Sequence, residues 1–150
     1  LTISVEGNSA KVQVSQVAAG QAAATTAKIT FDNTAKRTSF STSEQVWEEN
    51  GIIVTNNKAA STSNVANYAN PARFYSSSSL KVEAPGNIQS IVFHCNNASY
   101  ATAMNKSISN AGAVSGNGVT VTLDETCNTY SVAKLSGQVR MNAISVTYVK

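Results

Sequence analysis

The residue types best suited to chemistry are gathered between Gln45 and Tyr75, where the chain reads QVWEENGIIVTNNKAASTSNVANYANPARFY. Trp47, the single tryptophan, opens the stretch, and Tyr68, Phe74 and Tyr75 close it. An Asn/Ser/Thr-rich connection carrying Lys58 and ending in Arg73 lies between them. Aromatic faces beside amide and guanidinium groups suit flat, polar, uncharged ligands. A ring covers the C–H face of a sugar while planar amides and cations bond its hydroxyls. Nucleic-acid bases would stack on the same platforms. The candidate ligand residues are therefore Trp47, Asn56, Asn57, Lys58, Asn64, Tyr68, Arg73 and Tyr75. Each has a plainer role to set beside this one: aromatics fill sandwich cores, and asparagines build turns because they tolerate the left-handed region and cap backbone groups. Trp47 has Gln45, Glu48 and Glu49 as neighbours, which favours an exposed indole. Phe74 and Tyr75 must face opposite sides of a shared strand, so Phe74 is expected inside and Tyr75 outside.

Other chemistries are weakly supported. Glu48 and Glu49 are adjacent, so on a strand they diverge and cannot form an opposed glycosidase pair. His94 lies in IVFHCN as a strand residue and cannot form a dyad with its neighbour Cys95. The chain is therefore expected not to be an enzyme. No acidic loop of alternating ligands exists for calcium; Asp32 and Asp124 would serve only a discontinuous structural calcium site, and no other cofactor is expected. With one histidine and no C-x-x-C spacing, a Cys/His zinc site is close to excluded. Cys95 and Cys127 leave two readings of equal weight: a disulfide, worth roughly 3–4 kcal/mol from loop closure, or two buried free thiols.

The elements that must position these residues are strands. At 150 residues the chain fits one domain, and its 13% charged residues are about half the usual share. Ser, Thr, Asn and Ala fill the gap, as in extracellular bacterial β-domains. A net charge of +3, with no basic run, argues against nucleic acid. No apolar run approaches the roughly 18 residues of a membrane span. Period-2 alternation dominates in AKVQVSQVA, AKITFDN, SLKVEAPGN and GVTVTLD, with a turn at Pro85-Gly86, and IQSIVFHC reads as a near-continuous buried strand. In QVRMNAISVTYVK the alternation of Val139, Met141 and Ala143 shifts phase to Ile144, Val146 and Tyr148, the mark of a β-bulge. SYATAMNKSISNAG breaks the pattern: Tyr100, Met104 and Ile108 are four apart, predicting a short helix near residues 99–110 with Ser99 as N-cap and Gly112 as stop. Eight or nine strands with one helix predict an all-β fold, an antiparallel β-sandwich of the jelly-roll kind. Residues 1–26 read as leading strands and an Ala-rich linker, the strands being either an edge hairpin or the end of an immunoglobulin-like repeat. Residues 27–150 read as the β-sandwich binding module.

The segments ITFDN, QVWEENGIIVTNNK, SNVANYANPARFY, SSLKVEAPG, IQSIVF, SYATAMNKSI and QVRMNAISVTY, in this order, resemble a carbohydrate-binding-module-like β-sandwich domain of secreted multidomain proteins of gut anaerobic bacteria. There such a module sits beside immunoglobulin-like repeats, dockerins or secreted hydrolases. The resemblance carries no catalytic signature. It implies an extracellular or cell-surface module joined to neighbouring domains of a larger chain, and does not itself name the ligand. The expectation set beside it is a monomeric, non-catalytic carbohydrate-binding module that tethers the parent protein to a polysaccharide of the starch or plant cell-wall glucan class. The resemblance would place Trp47, Asn56, Lys58, Asn64, Tyr68, Arg73 and Tyr75 on the ligand face. The alternatives are a structural or adhesive spacer, in which Trp47 and Arg73 would be buried, and, less favoured, a module for single-stranded nucleic acid.

Overall fold

The computed structural model describes residues 22–108 and 112–150. The expected leading strands and most of the Ala-rich linker lie outside the described residues. Two antiparallel sheets face each other, as the alternating sequence requires. The first runs β1 (Thr25–Thr30), β11 (Val139–Val149), β7 (Asn87–Cys95), β9 (Gly118–Thr122) and β8 (Ala113–Ser115), with β5 (Ala72–Phe74) also paired to β11. The second runs β10 (Thr129–Val132), β6 (Ser79–Glu83), β4 (Ile52–Asn57), β3 (Glu44–Glu49) and β2 (Arg37–Phe40). β11 holds β7 along one side and both β1 and β5 along the other. This is the expected all-β sandwich. Thr25 and Thr26, placed in the linker by sequence, belong to β1.

Side-chain alternation builds the core. Trp47, Ile52, Val54, Leu80 and Val82 face inward from the second sheet, and Ile91, Phe93, Val119, Val121 and Val146 from the first. On β11 the buried positions run Val139, Met141, then Ala143 with Ile144, then Val146 and Tyr148. The phase change coincides with a register shift against β7 between Met141 and Ala143, the predicted bulge. Asn50 and Gly51, both at positive φ, make the two-residue turn between β3 and β4, the left-handed pair such hairpins need. At Gly86, in the predicted turn, a Cβ would stand 2.1 Å from the carbonyl oxygen of Val149, so only glycine fits.

The helix α1 spans Ala98–Ser107 and buries Ala101 and Met104, with Ile108 buried just beyond. Its N-cap is Asn97, whose side chain accepts from the Tyr100 amide, instead of the expected Ser99. Ser99 donates to the same Asn97 oxygen and so supports the cap. The helix ends at Ile108 in an extended C-cap, before the expected glycine stop.

The disulfide reading is corrected. Cys95 and Cys127 are both free thiols. Cys127 accepts from the Ile88 amide at the start of β7, while Cys95 ends that strand. The seven-residue rise between Ile88 and Cys95 corresponds to about 23 Å. Cys95 is buried and Cys127 exposed, so only one of the two matches the reading of buried thiols.

Candidate ligand-binding site

The 58–71 connection carries the chain from β4 in the second sheet to β5 in the first. It is pinned at its entry, where the amides of Lys58 and Val65 donate to the carbonyls of Ser43 and Thr42. It is pinned at its exit, where the Asn70 amide donates to the Phe31 carbonyl. Val65 and Ala66 are buried under it. Arg37 braces the middle: its guanidinium donates to Asn67 at 2.7 Å and lies 4.4 Å from the Phe40 ring centroid and 5.4 Å from that of Trp47.

This framework separates the sequence candidates. Trp47 is fully buried, its ring edge-on to Phe31 at 5.2 Å, and Phe31 in turn meets Phe74 at 5.7 Å. It is a core residue, not a platform. The polar neighbours that suggested exposure misled because alternation on β3 turns Gln45 and Trp47 inward while Glu44, Val46 and Glu48 face away. Asn56, also expected at the ligand face, is 1% exposed and opposes buried Gln45 across the β3–β4 ladder. Asn57 shapes its turn, accepting from the Ala59 amide and donating to Glu44. Phe74 is buried, and Tyr75, just past the strand, is half-buried, not fully outward as expected.

The fold brings the remaining candidates together as two pairs. Lys58 donates to Asn64 at 3.0 Å. Tyr68, 48% exposed, carries the Arg73 guanidinium 3.9 Å from its ring centroid. Arg73 is the register partner of Arg140 on β11, and Arg140 lies 5.4 Å from the ring centroid of Tyr100. Arg140, Tyr100, Arg37 and Phe40 were missed by sequence reasoning. A signal for Arg140 was present, because QVRMN alternates and turns it outward between buried Val139 and Met141. Its partner strand carried no such signal.

The acids serve the scaffold. Lys36 forms ion pairs with Asp32 at 2.6 Å and Glu49 at 2.9 Å, and Glu49 also accepts from the amide and hydroxyl of Thr30. The hydrogen bond from Lys36, its nearby charge and the bond from Thr30 outweigh the modest desolvation and hold the Asp32 carboxyl below its ordinary range. Glu49 is pushed up by desolvation, but its bonds to Lys36 and Thr30 prevail and its pKa is also lowered. Asp124 accepts from the Thr126 hydroxyl at 2.7 Å. Among the described residues no group of three or more His, Cys, Asp or Glu is placed to hold a metal ion.

Two further arrangements have polar chemistry. His94 Nε2 lies 2.9 Å from Ser145 Oγ, but among the described residues no carboxylate bonds to its other ring nitrogen. Desolvation, with the nearby Lys28 charge, lowers the His94 pKa and keeps the ring neutral at pH 7. A groove of about 330 Å³ on the outer face of the second sheet runs between Glu44, Thr55, Asn57, Lys81 and Ser131, and no aromatic lines it. Among the described residues no helix is long and apolar enough to cross a membrane. Comparison with protein-family models, with curated proteins and with solved structures gives no match to this chain.

Proposed function

We infer that this domain is a non-catalytic carbohydrate-binding module, which fixes a secreted or cell-surface bacterial protein to a polysaccharide. The observation that carries the reading is Tyr68. Among the described residues it is the most exposed of the large apolar or aromatic side chains, and it is held against Arg73 on a connection pinned at both ends. An exposed ring held in place loses little entropy on meeting a sugar, and the edge of the stacked guanidinium remains free to bond hydroxyls. Lys58 and Asn64 offer further polar groups on the same connection. Individual sites of this kind bind in the micromolar to millimolar range, and repetition in a parent chain raises retention.

A pull-down on insoluble starch and plant cell-wall glucans tests the reading, with Tyr68→Ala as the control. Retention of the wild type and its loss in the variant, with unchanged unfolding, is the expected result. Equal retention of both rejects Tyr68 as the platform. The burial of Trp47 favours a second reading, a structural spacer in which the aromatic cluster only locks the connection onto the sandwich. That reading also wanted Arg73 buried, and Arg73 is partly exposed. Failure of every glycan to retain the domain would favour the spacer.

A further inference from the structure

Arg73 and Arg140 are direct partners in the antiparallel ladder of β5 and β11. Their neighbours Ala72, Phe74, Val139 and Met141 are all buried, so both arginines project from the opposite, outer face of the first sheet. Directly opposed residues hold their Cβ atoms roughly 5 Å apart, and like charges there oppose folding. Nearby carboxylates would ordinarily relieve such a pair. Here the ion pairs of the described residues involve only Lys36 and Lys81, and neither guanidinium makes a side-chain hydrogen bond among the described residues. Arg140 Nε is buried and without a partner among the described residues, so a ligand would meet the terminal N–H groups of this guanidinium. Tyr68 stacks against one guanidinium and Tyr100 lies near the other. Ring stacking occupies the face of a guanidinium and leaves its N–H donors in the plane, where a carboxylate or sulfate is bonded in fork geometry.

We propose that the Arg73–Arg140 pair, flanked by Tyr68 and Tyr100, is a subsite for the anionic group of an acidic polysaccharide, a uronate carboxylate or a sugar sulfate. The proposal rests on the glycan-binding reading and names the ligand class of that site. Two arginines supply the counter-charge for one acidic sugar while a tyrosine covers its ring. A phosphodiester chain calls for a longer basic track than two arginines and a net charge of +3.

The test is affinity electrophoresis of the described domain in gels containing polygalacturonate, dextran sulfate, amylose or neutral β-glucan, with single-stranded DNA as a competitor. The variants are Arg73→Gln, Arg140→Gln and Arg140→Lys, each checked for folding by thermal unfolding. The wild type is expected to bind polygalacturonate or dextran sulfate at least about tenfold more tightly than the neutral glycans. A preference for the first assigns a carboxylate, for the second a sulfate ester. Each Gln variant is expected to lose roughly tenfold on the acidic glycan alone. Arg140→Lys is expected to recover only part of that loss, because an ammonium keeps the charge without the fork. Should Arg140→Gln fail to fold, Arg73→Gln decides. Neutral glycans bound as tightly as acidic ones, with Tyr68→Ala defective and Gln variants unaffected, would overturn the anion subsite and leave the glycan reading standing. No retention on any glycan would overturn both. DNA displacing the domain from polygalacturonate at physiological salt would overturn the proposal in favour of a phosphodiester ligand.

Discussion

Replacing Trp47 with alanine empties the space between Phe31 and the Arg37 guanidinium. Loss of a buried large aromatic costs about 3–5 kcal/mol, a large part of the roughly 5–15 kcal/mol that holds a domain folded. Chemical denaturation of Trp47→Ala is therefore expected to show a strongly lowered midpoint, and Tyr68→Ala an almost unchanged one. The two thiols provide a second contrast at this scale. Burial pushes the Cys95 thiol up to about 12, which leaves it protonated at neutral pH, and Cys127 is exposed. A thiol-specific reagent near pH 8 is expected to label Cys127 alone, with Cys95 reacting only after denaturant is added. Labelling of both in the native state would contradict the placement of Cys95. Trp47 also shows why residue roles were only partly legible in the sequence. Glu48 faces away and Glu49 ends the strand, while Gln45 is itself buried beside the indole, so the polarity of these neighbours carried no information about Trp47. Phe74 was readable because alternation with Ala72 turns it inward without needing the rest of the fold, whereas Tyr75 lies just past the strand and is half-buried.

The elements are tied together by a clasp between sheets. Glu49, on β3 of the second sheet, accepts from Thr30 on β1 of the first, and Lys36 on the intervening connection pairs with both Glu49 and Asp32. Asp32 and Glu49 have pKa values lowered from their ordinary 3.8 and 4.5. Their stabilising contribution is complete above those ordinary values and is lost as pH falls through the lowered ones. Lys36 is raised from 10.5 by its bond to Asp32 and then by Glu49, so its share is complete below 10.5 and disappears as pH rises through the raised value. Glu49→Ala is expected to cost about 1–2 kcal/mol at neutral pH and to flatten the acid limb of the stability profile, followed by denaturant midpoints between pH 3 and pH 7. An unchanged acid limb would show that the clasp does not couple the sheets. At this scale β11 was the most legible element: eleven residues of alternation with one phase break gave both the strand and its bulge. The short strands β2, β5, β8 and β10 were harder to read, because three or four residues supply too little periodicity.

For the whole molecule, low charge and Ser/Thr-rich alternation were enough to indicate a sandwich, since only facing sheets bury so many single-sided strands. The composition of the site was partly readable too, as Lys58 with Asn64 and Tyr68 with Arg73 are joined through nearby stretches of chain. The partner strand was not, because β5 meets β11 across more than sixty residues of sequence and register is fixed only by the assembled sheets. That register sets Arg140 beside Arg73 and turns a local aromatic–arginine contact into a surface with four side chains. Tyr68 is the residue through which this surface is proposed to hold a polysaccharide. The most direct measurement is the binding isotherm of the wild type and Tyr68→Ala on one glycan matrix, with denaturation curves recorded in parallel. Saturable binding by the wild type, weakened about tenfold or more in the variant, at equal stability, is the expected result. Equal binding by both proteins, or no binding by either across neutral and acidic glycans, would contradict it.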